Sequence, residues 1–174
     1  MRARAIRLTR DALPIYTLLP IGAVIMNHCG LFHDQCSLLA VVGYVILVEF
    51  FVYGDHYLLL HRGRHAQHHV HHEFKARCDV TVWTAFAFYP WDGLSQGMPI
   101  LYAALLVPVT FEVVFGMILA VGLWTVYLHT NTFALPWPLM GCNYHYIHHR
   151  YNWYNFGLFT VLWDTVFRTL RVDQ

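Results

Sequence analysis

Apolar residues collect in four stretches along the chain, at residues 13–26, 38–53, 80–90 and 98–128. The second stretch, LLAVVGYVILVEFFVY, approaches the roughly 20 apolar residues that a membrane helix needs. The fourth is longer than one crossing requires and contains Pro108 and Glu112. Proline removes a helix hydrogen bond, and a carboxylate is costly at bilayer depth. We therefore predict that residues 98–128 form two short helices joined as a hairpin.

The composition supports a membrane protein. Hydrophobic residues make up 57% of the chain and charged residues only 12%, whereas soluble domains average about 25% charged residues. A net charge of +1 gives no reason to expect a nucleic-acid partner. The sequence thus predicts an all-α fold, a multi-pass helical bundle with about four short membrane helices. Residues 1–174 are expected to form a single domain.

The positions of the basic residues predict the topology. The loop at residues 27–37 has no Lys or Arg, and the basic residues lie in three groups: Arg2, Arg4, Arg7 and Arg10; Arg62, Arg64, Lys75 and Arg77; Arg150, Arg168 and Arg171. Positive residues favour the cytosolic side of a membrane. We therefore expect an uncleaved N-terminal anchor whose basic end shares the cytosolic face with a histidine-rich cap. The predicted location is the endoplasmic reticulum in a eukaryote and otherwise the inner membrane.

Histidines are concentrated in two segments. Seven of the thirteen lie in residues 56–72, where four recur at helical spacing: His61, His65, His68 and His72. The second segment contains His145, His148 and His149, again at helical spacing. His129, at the end of the predicted hairpin, is expected at the same membrane depth. The sequence therefore predicts that imidazoles from both halves of the chain converge.

This histidine content favours a two-metal site. Neutral imidazole suits iron, zinc, copper and nickel, and one zinc needs only three or four ligands. Neither the Glu-x-x-His pairs of soluble di-iron bundles nor the HExxH of zinc proteases occurs here. Two alternatives stay open, a membrane metal-binding or transport protein and a zinc-dependent hydrolase. A metal-capture tract alone would not explain the second segment with its fixed spacing.

At these histidines the sequence resembles the fatty acid hydroxylase superfamily, which includes sterol desaturases, sterol methyl oxidases and cholesterol 25-hydroxylase. Residues 61–65 (HRGRH), 68–74 (HHVHHEF) and 145–149 (HYIHH) are similar to its three histidine boxes. His129-Thr130-Asn131, Asn155-Phe156-Gly157 and residues 163–167 (WDTVF) resemble further motifs of the family. The resemblance covers about residues 49–170.

The resemblance implies a membrane enzyme that activates O2 at two iron ions and hydroxylates or desaturates a lipid, either a sterol or a fatty-acyl chain. Electrons would come from an external donor such as cytochrome b5 or a ferredoxin. The implied metal ligands are His61, His65, His68, His71, His72, His129, His145, His148 and His149. A second register of the first box uses His56 and His61, so His56 is a further candidate.

Other residues have supporting roles in this interpretation. Metal-bound histidines need an acceptor for their second N–H, and the candidates are Asp55, Glu73, Asn131 and Asp164. The aromatic residues Trp83, Phe86 and Tyr89 are candidates for the wall of a lipid channel, or alternatively for an interfacial belt.

The sequence also departs from the family pattern. The spacing between the first two boxes is short, Tyr89 stands where the family often has His, and Arg168 stands where Gly is common. A catalytically weakened member is therefore a further alternative.

Overall fold

The computed structural model describes residues 1–63, 68–130 and 132–173, and the regular structure in these ranges is helical. The helices are α1 (Arg2–Tyr16), α2 (Leu18–His28), α3 (Leu38–Gly54), α4 (Pro90–Ala104), α5 (Phe111–Leu128), α6 (Cys142–Tyr151) and α7 (Leu162–Val166). A π-helix (Asp55–Gly63) continues α3, and a 3₁₀ turn forms at His71–Glu73. The predicted all-α class is confirmed.

Three helical stretches of the described chain are long and apolar enough to cross a bilayer: Arg2–His28, Leu38–Gly63 and Phe111–Leu128. Most of their residues are not buried inside the protein, as lipid contact requires. Helix α4 has 15 residues and is about 22 Å long, which is shorter than the roughly 30 Å hydrocarbon core. The chain is therefore a membrane protein. The expectation of about four membrane helices stays a prediction.

The predicted hairpin is present. Helix α4 ends at Ala104 and α5 begins at Phe111, so that Pro108 lies in the connection. Glu112 lies in the first turn of α5, where the helix dipole favours a negative charge. Residues 80–89, predicted only as an apolar stretch, form turns instead of a regular helix.

Two glycines allow helix α4 to approach α1 and α2 closely. A Cβ at Gly97 would lie 2.0 Å from Leu19 Cδ1, and a Cβ at Gly93 would lie 2.7 Å from Tyr16 Cε1. Larger residues at these positions would push the helices apart. The helices nevertheless leave an apolar cavity of about 340 Å³ between them, which extends to α3 and α5.

Two buried carboxylates hold the C-terminal segment in place, Glu49 from α3 and Asp164 from within the segment. Asp164 accepts hydrogen bonds from the backbone N–H of Phe156 (2.8 Å) and of Gly157 (2.9 Å). Glu49 in α3 accepts from Thr160 Oγ1 at 2.7 Å. These bonds position the loop around residue 156, whose carbonyl groups contact the histidine-rich segments.

Candidate metal centre

Nine histidines form two adjacent groups. The five-histidine group consists of His56, His61, His68, His72 and His148, and the four-histidine group of His71, His129, His145 and His149. Within each group, one ligand nitrogen per residue lies within 4.8 Å of all the others. Eight of these side chains are buried and His56 is half-buried. Such convergence of imidazoles from four elements of the fold is the geometry of a metal centre.

Two histidine doublets join the groups. In the doublet His71-His72 and again in His148-His149, each residue belongs to a different group. Across the two groups, the ring centroids of His72 and His149 lie 4.9 Å apart, and those of His68 and His71 lie 5.5 Å apart. On helix α6, residues four apart share a face, so His145 and His149 point into one group while His148 points into the other. The two groups therefore share a boundary.

Three outer nitrogens of the five-histidine group, those of His56, His68 and His148, are held by acceptors. His56 Nδ1 donates to the Phe156 carbonyl oxygen at 3.1 Å, and His148 Nδ1 donates to that of Tyr154 at 2.7 Å. His68 Nδ1 donates to the two carboxylate oxygens of Asp92 at 3.2 and 3.0 Å. These oxygens only accept hydrogen bonds, so each Nδ1 carries the hydrogen. The lone pair of Nε2 then faces into the group.

These inward lone pairs fit a cation. His68 Nε2 lies 3.2 Å from His56 Nε2, but neither atom carries a hydrogen, so no hydrogen bond joins them. His148 Nε2 is buried without a hydrogen-bond partner, which is costly unless a ligand satisfies it. Ligand nitrogens about 2.1 Å from a shared metal ion lie about 3.0 to 3.5 Å apart. The observed separations match this range.

In the four-histidine group, His129 is held in the same way. His129 Nδ1 donates to the Thr125 carbonyl oxygen at 2.8 Å, which leaves the Nε2 lone pair facing inward. That Nε2 lies 3.1 Å from the Nε2 atoms of His145 and His149 and 3.2 Å from that of His71. A second cation fits between these atoms.

Burial keeps these imidazoles neutral. It lowers the pKa of His129 to about 4. Burial, together with the neighbouring imidazoles, also holds five other pKa values well below the usual value, those of His71, His72, His145, His148 and His149. A neutral imidazole has the free lone pair that a metal requires. Without a carboxylate ligand in either group, the donor set suits iron, zinc, copper or nickel better than calcium or magnesium.

Most of the histidines predicted as ligands lie in the two groups. They are His61, His68, His71, His72, His129, His145, His148 and His149. His65 lies outside the described residues. His56, from the second register of the first box, joins His61 in the five-histidine group. These two residues are five apart in the π-helix, whose i→i+5 hydrogen bonds bring such residues to the same side.

The first histidine segment was predicted to carry its histidines on one face of a helix with uniform α-helical spacing, and its described part does not have that geometry. His61 and His72 do share a group with His68, but the described part of the segment is not a continuous α-helix. It consists of the end of the π-helix and a 3₁₀ turn, which directs His71 into the other group.

The carboxylates predicted to support the ligands have other partners in the described structure. Asp55 accepts from the Tyr102 hydroxyl, Glu73 pairs with Arg4 at 2.8 Å, and Asp164 binds the loop described above. Asn131 lies outside the described residues.

The carboxylate that does contact a histidine is Asp92, which the sequence analysis missed. Its side chain is buried beside that of His68. Pro90 at the start of α4 places Asp92 in the first helical turn, and a proline followed by an acidic residue is a recognisable helix start. That signal could have indicated the position of Asp92, although not its partner.

The apolar cavity adjoins the five-histidine group, because His56 lies in its wall. Phe86, one of the three predicted aromatic residues, also lines it. Trp83 and Tyr89 are not among the lining residues. Arg2 stacks over Trp83 at 5.6 Å, and Tyr89 is 46% exposed at the N-cap of α4. An apolar cavity thus lies directly beside one of the two histidine groups.

The fold and the site together define a helical membrane protein with two adjacent histidine groups suited to metal ions. The chain matches the fatty acid hydroxylase family over residues 41–169. It belongs to this family.

Several curated relatives act on sterols by name. The chain is 31% identical to a putative Delta(7)-sterol-C5(6)-desaturase 2 of Arabidopsis thaliana, over 92% of this chain and 62% of the relative. It is 35% identical to the Delta(7)-sterol-C5(6)-desaturase of Nicotiana tabacum, over 74% of this chain and 48% of the relative. It is 26% identical to the lathosterol oxidase of Homo sapiens, over 94% of this chain and 59% of the relative. The chain thus spans about half to three-fifths of the length of these relatives. No matching solved structure was found.

Proposed function

We propose that this chain is a membrane-bound non-haem di-iron oxygenase that uses O2 to hydroxylate or desaturate a lipid. The observation that carries the proposal is the pair of adjacent imidazole groups, one of which adjoins an apolar cavity. Sterols are the first lipids to test, because the relatives named above are sterol desaturases and a lathosterol oxidase.

The nine grouped histidines are the proposed iron ligands, and His65 remains a further candidate. When bound, two iron ions would supply the activation of O2 and the removal of hydrogen from an unactivated C–H bond. The chain itself buries the imidazoles away from water and fixes the Nδ1–H bonds of four of them, His56, His68, His129 and His148. Tyr89, which stands where the family often has histidine, lies outside both groups, and a catalytically weakened family member is the alternative that the activity test addresses.

The proposed reaction needs electrons from outside the chain. A cytochrome b5 or ferredoxin-type protein is the proposed donor, and it would reach the site from the cytosol. The basic residues before α1 and beside the histidine segments support a cytosolic N-terminus and a cytosolic histidine cap. The proposed location is the endoplasmic reticulum in a eukaryote and otherwise the inner membrane.

The test combines metal analysis with lipid mass spectrometry. The protein is expressed in cells that supply the donor and Delta(7)-sterols, and wild type is compared with His148→Ala. His69→Ala serves as the control, because His69 is exposed and lies outside both groups. We expect about two irons per chain and an oxygen-dependent lipid product with wild type and His69→Ala only. Exchangeable zinc or copper without turnover would instead indicate a metal-binding or transport protein.

A further inference from the structure

The backbone of residues 154–157 holds two histidines of the five-histidine group. The carbonyl oxygen of Tyr154 accepts from His148 Nδ1 at 2.7 Å, and that of Phe156 accepts from His56 Nδ1 at 3.1 Å. A peptide group is planar and trans, so its N–H points away from its C=O. A hydrogen bond from that N–H therefore also fixes the direction of the C=O in the same peptide.

Both of these peptide groups are held at their N–H ends. The N–H of Asn155, in the same peptide as the Tyr154 carbonyl group, donates to the Thr169 carbonyl oxygen at 3.1 Å. The N–H that shares a peptide with the Phe156 carbonyl group donates to Asp164 Oδ2 at 2.9 Å. Each carbonyl group that holds a histidine is thus fixed from the opposite side by the C-terminal part of the chain.

Asn155 lies between the two peptide groups and is completely buried. Its Nδ2 donates to the carbonyl oxygens of Tyr144 and Arg171, both at 3.0 Å, and its Oδ1 accepts from the Arg171 N–H at 2.8 Å. Its φ is +59°, in the left-handed region that asparagine adopts more readily than most side chains. The amide therefore locks residue 155 in the conformation in which both carbonyl groups face histidines.

The contacts of this loop favour the five-histidine group over the four-histidine group. Its two carbonyl groups both hold members of the five-histidine group. The ring of Phe156 contacts three members of the same group, with ring centroids 5.0–5.5 Å apart: His56, His61 and His148. In the four-histidine group, His129 is held instead by the carbonyl oxygen of Thr125 in α5. A change at residue 155 should therefore affect one group more than the other.

We propose that Asn155 is a positioning residue that prepares the five-histidine group, and not the four-histidine group, to bind its metal ion. It acts through the carbonyl groups on either side of it, whose hydrogen bonds set the tautomer and the direction of two imidazoles. This role rests on the proposed metal centre and is independent of the substrate that reacts there.

The test measures the affinity of each group for cobalt(II) by chelator competition, on the purified full chain in lipid nanodiscs. His145→Ala removes a ligand of the four-histidine group, so the tight binding that remains belongs to the five-histidine group. His148→Ala gives the converse. Asn155→Gly is then added to each of these two backgrounds, because glycine accepts a positive φ but lacks the three side-chain hydrogen bonds.

We expect Asn155→Gly to weaken cobalt binding about tenfold or more in the His145→Ala background, the range found for residues that hold metal ligands. The visible spectrum of the bound cobalt should change there as well. In the His148→Ala background the affinity should change less than twofold and the spectrum should stay the same.

Asn152→Gly is the matched control. Asn152 is also an asparagine with a positive φ, +64°, and it caps the C-terminus of α6. Its Oδ1 has no hydrogen-bond partner in the described structure, and glycine is common at such a position. This variant should bind cobalt(II) within twofold of each background.

Asn155→Asp provides the test if Asn155→Gly does not fold. Aspartate keeps an acceptor for the Arg171 N–H but loses the donor to the carbonyl oxygens of Tyr144 and Arg171. It should weaken the five-histidine group at least threefold and leave the four-histidine group unchanged.

A purely structural residue would weaken both groups alike or would change only the unfolding temperature. Either result overturns the proposal, and so does an equal effect of Asn152→Gly. Cobalt binding needs no turnover. A chain that shows the selective loss but forms no oxygen-dependent product would therefore contradict the oxygenase proposal and leave the role of Asn155 intact.

Discussion

Replacing Asp92 by alanine is expected to weaken metal binding by the five-histidine group, although Asp92 is not itself a proposed ligand. In the structure its carboxylate accepts the Nδ1–H of His68, and this bond directs His68 Nε2 toward the other histidines. Alanine would leave that N–H buried without an acceptor. The ring would then lose the constraint that selects its tautomer and orientation.

The size of the effect follows from the burial of the pair. The side chains of His68 and Asp92 are 2% and 0% exposed, respectively, so water cannot replace the lost acceptor. A hydrogen bond to a charged group contributes about 1.5–3 kcal/mol. Loss of such a supporting residue typically lowers metal affinity about 10–100-fold, which corresponds to about 1.4–2.8 kcal/mol. Asp92→Asn keeps an acceptor but not the charge, and about fivefold weakening is expected.

The assay is a chelator titration of purified protein, with the retained metal counted by mass spectrometry and the coordination geometry monitored by the visible spectrum of the cobalt-substituted form. Glu73→Gln is the matched control. Glu73 is a neighbouring carboxylate that pairs with Arg4, and this variant should retain metal as wild type does. If folded Asp92→Ala holds both metals with wild-type affinity and an unchanged cobalt spectrum, the proposed role of the Asp92–His68 bond is wrong.

The remaining predictions concern the first histidine box and pH. His56→Ala should lower metal retention at the five-histidine group at least tenfold. Chelator titration tests this, with His69→Ala as the control variant. If His56→Ala retains as much metal as the control, His56 is not a ligand. Burial lowers the pKa of His129 to about 4, and it also lowers the pKa values of the neighbouring histidines. In the unfolded metal-free chain, histidine pKa values are near 6.5. The unfolded chain therefore binds more protons than the folded one. Stability should therefore be greatest above about pH 6.5 and fall between about pH 6.5 and 4, measured as the unfolding temperature in detergent. An unfolding temperature that stays constant or rises on acidification would contradict this prediction.

The sequence predicted those features that depend on local chemistry. Pro108 marks the break between two helices. The number of histidines predicts two metals, because one ion cannot use so many ligands, and this remains a prediction. The sequence could not predict the path of the first histidine segment, because spacing arguments assume one uniform helix. A π-helix places His56 beside His61, whereas the same spacing in an α-helix would separate them. Asp92 was missed because its partnership with His68 joins separate segments, and no local pattern encodes such a contact.

The doublets His71-His72 and His148-His149 each divide their two side chains between the histidine groups. Successive Cα atoms are fixed about 3.8 Å apart by covalent geometry, so the backbone of the doublets would limit the distance between two ions held in these groups. A shift of the ligands around one ion would then displace the ligands around the other.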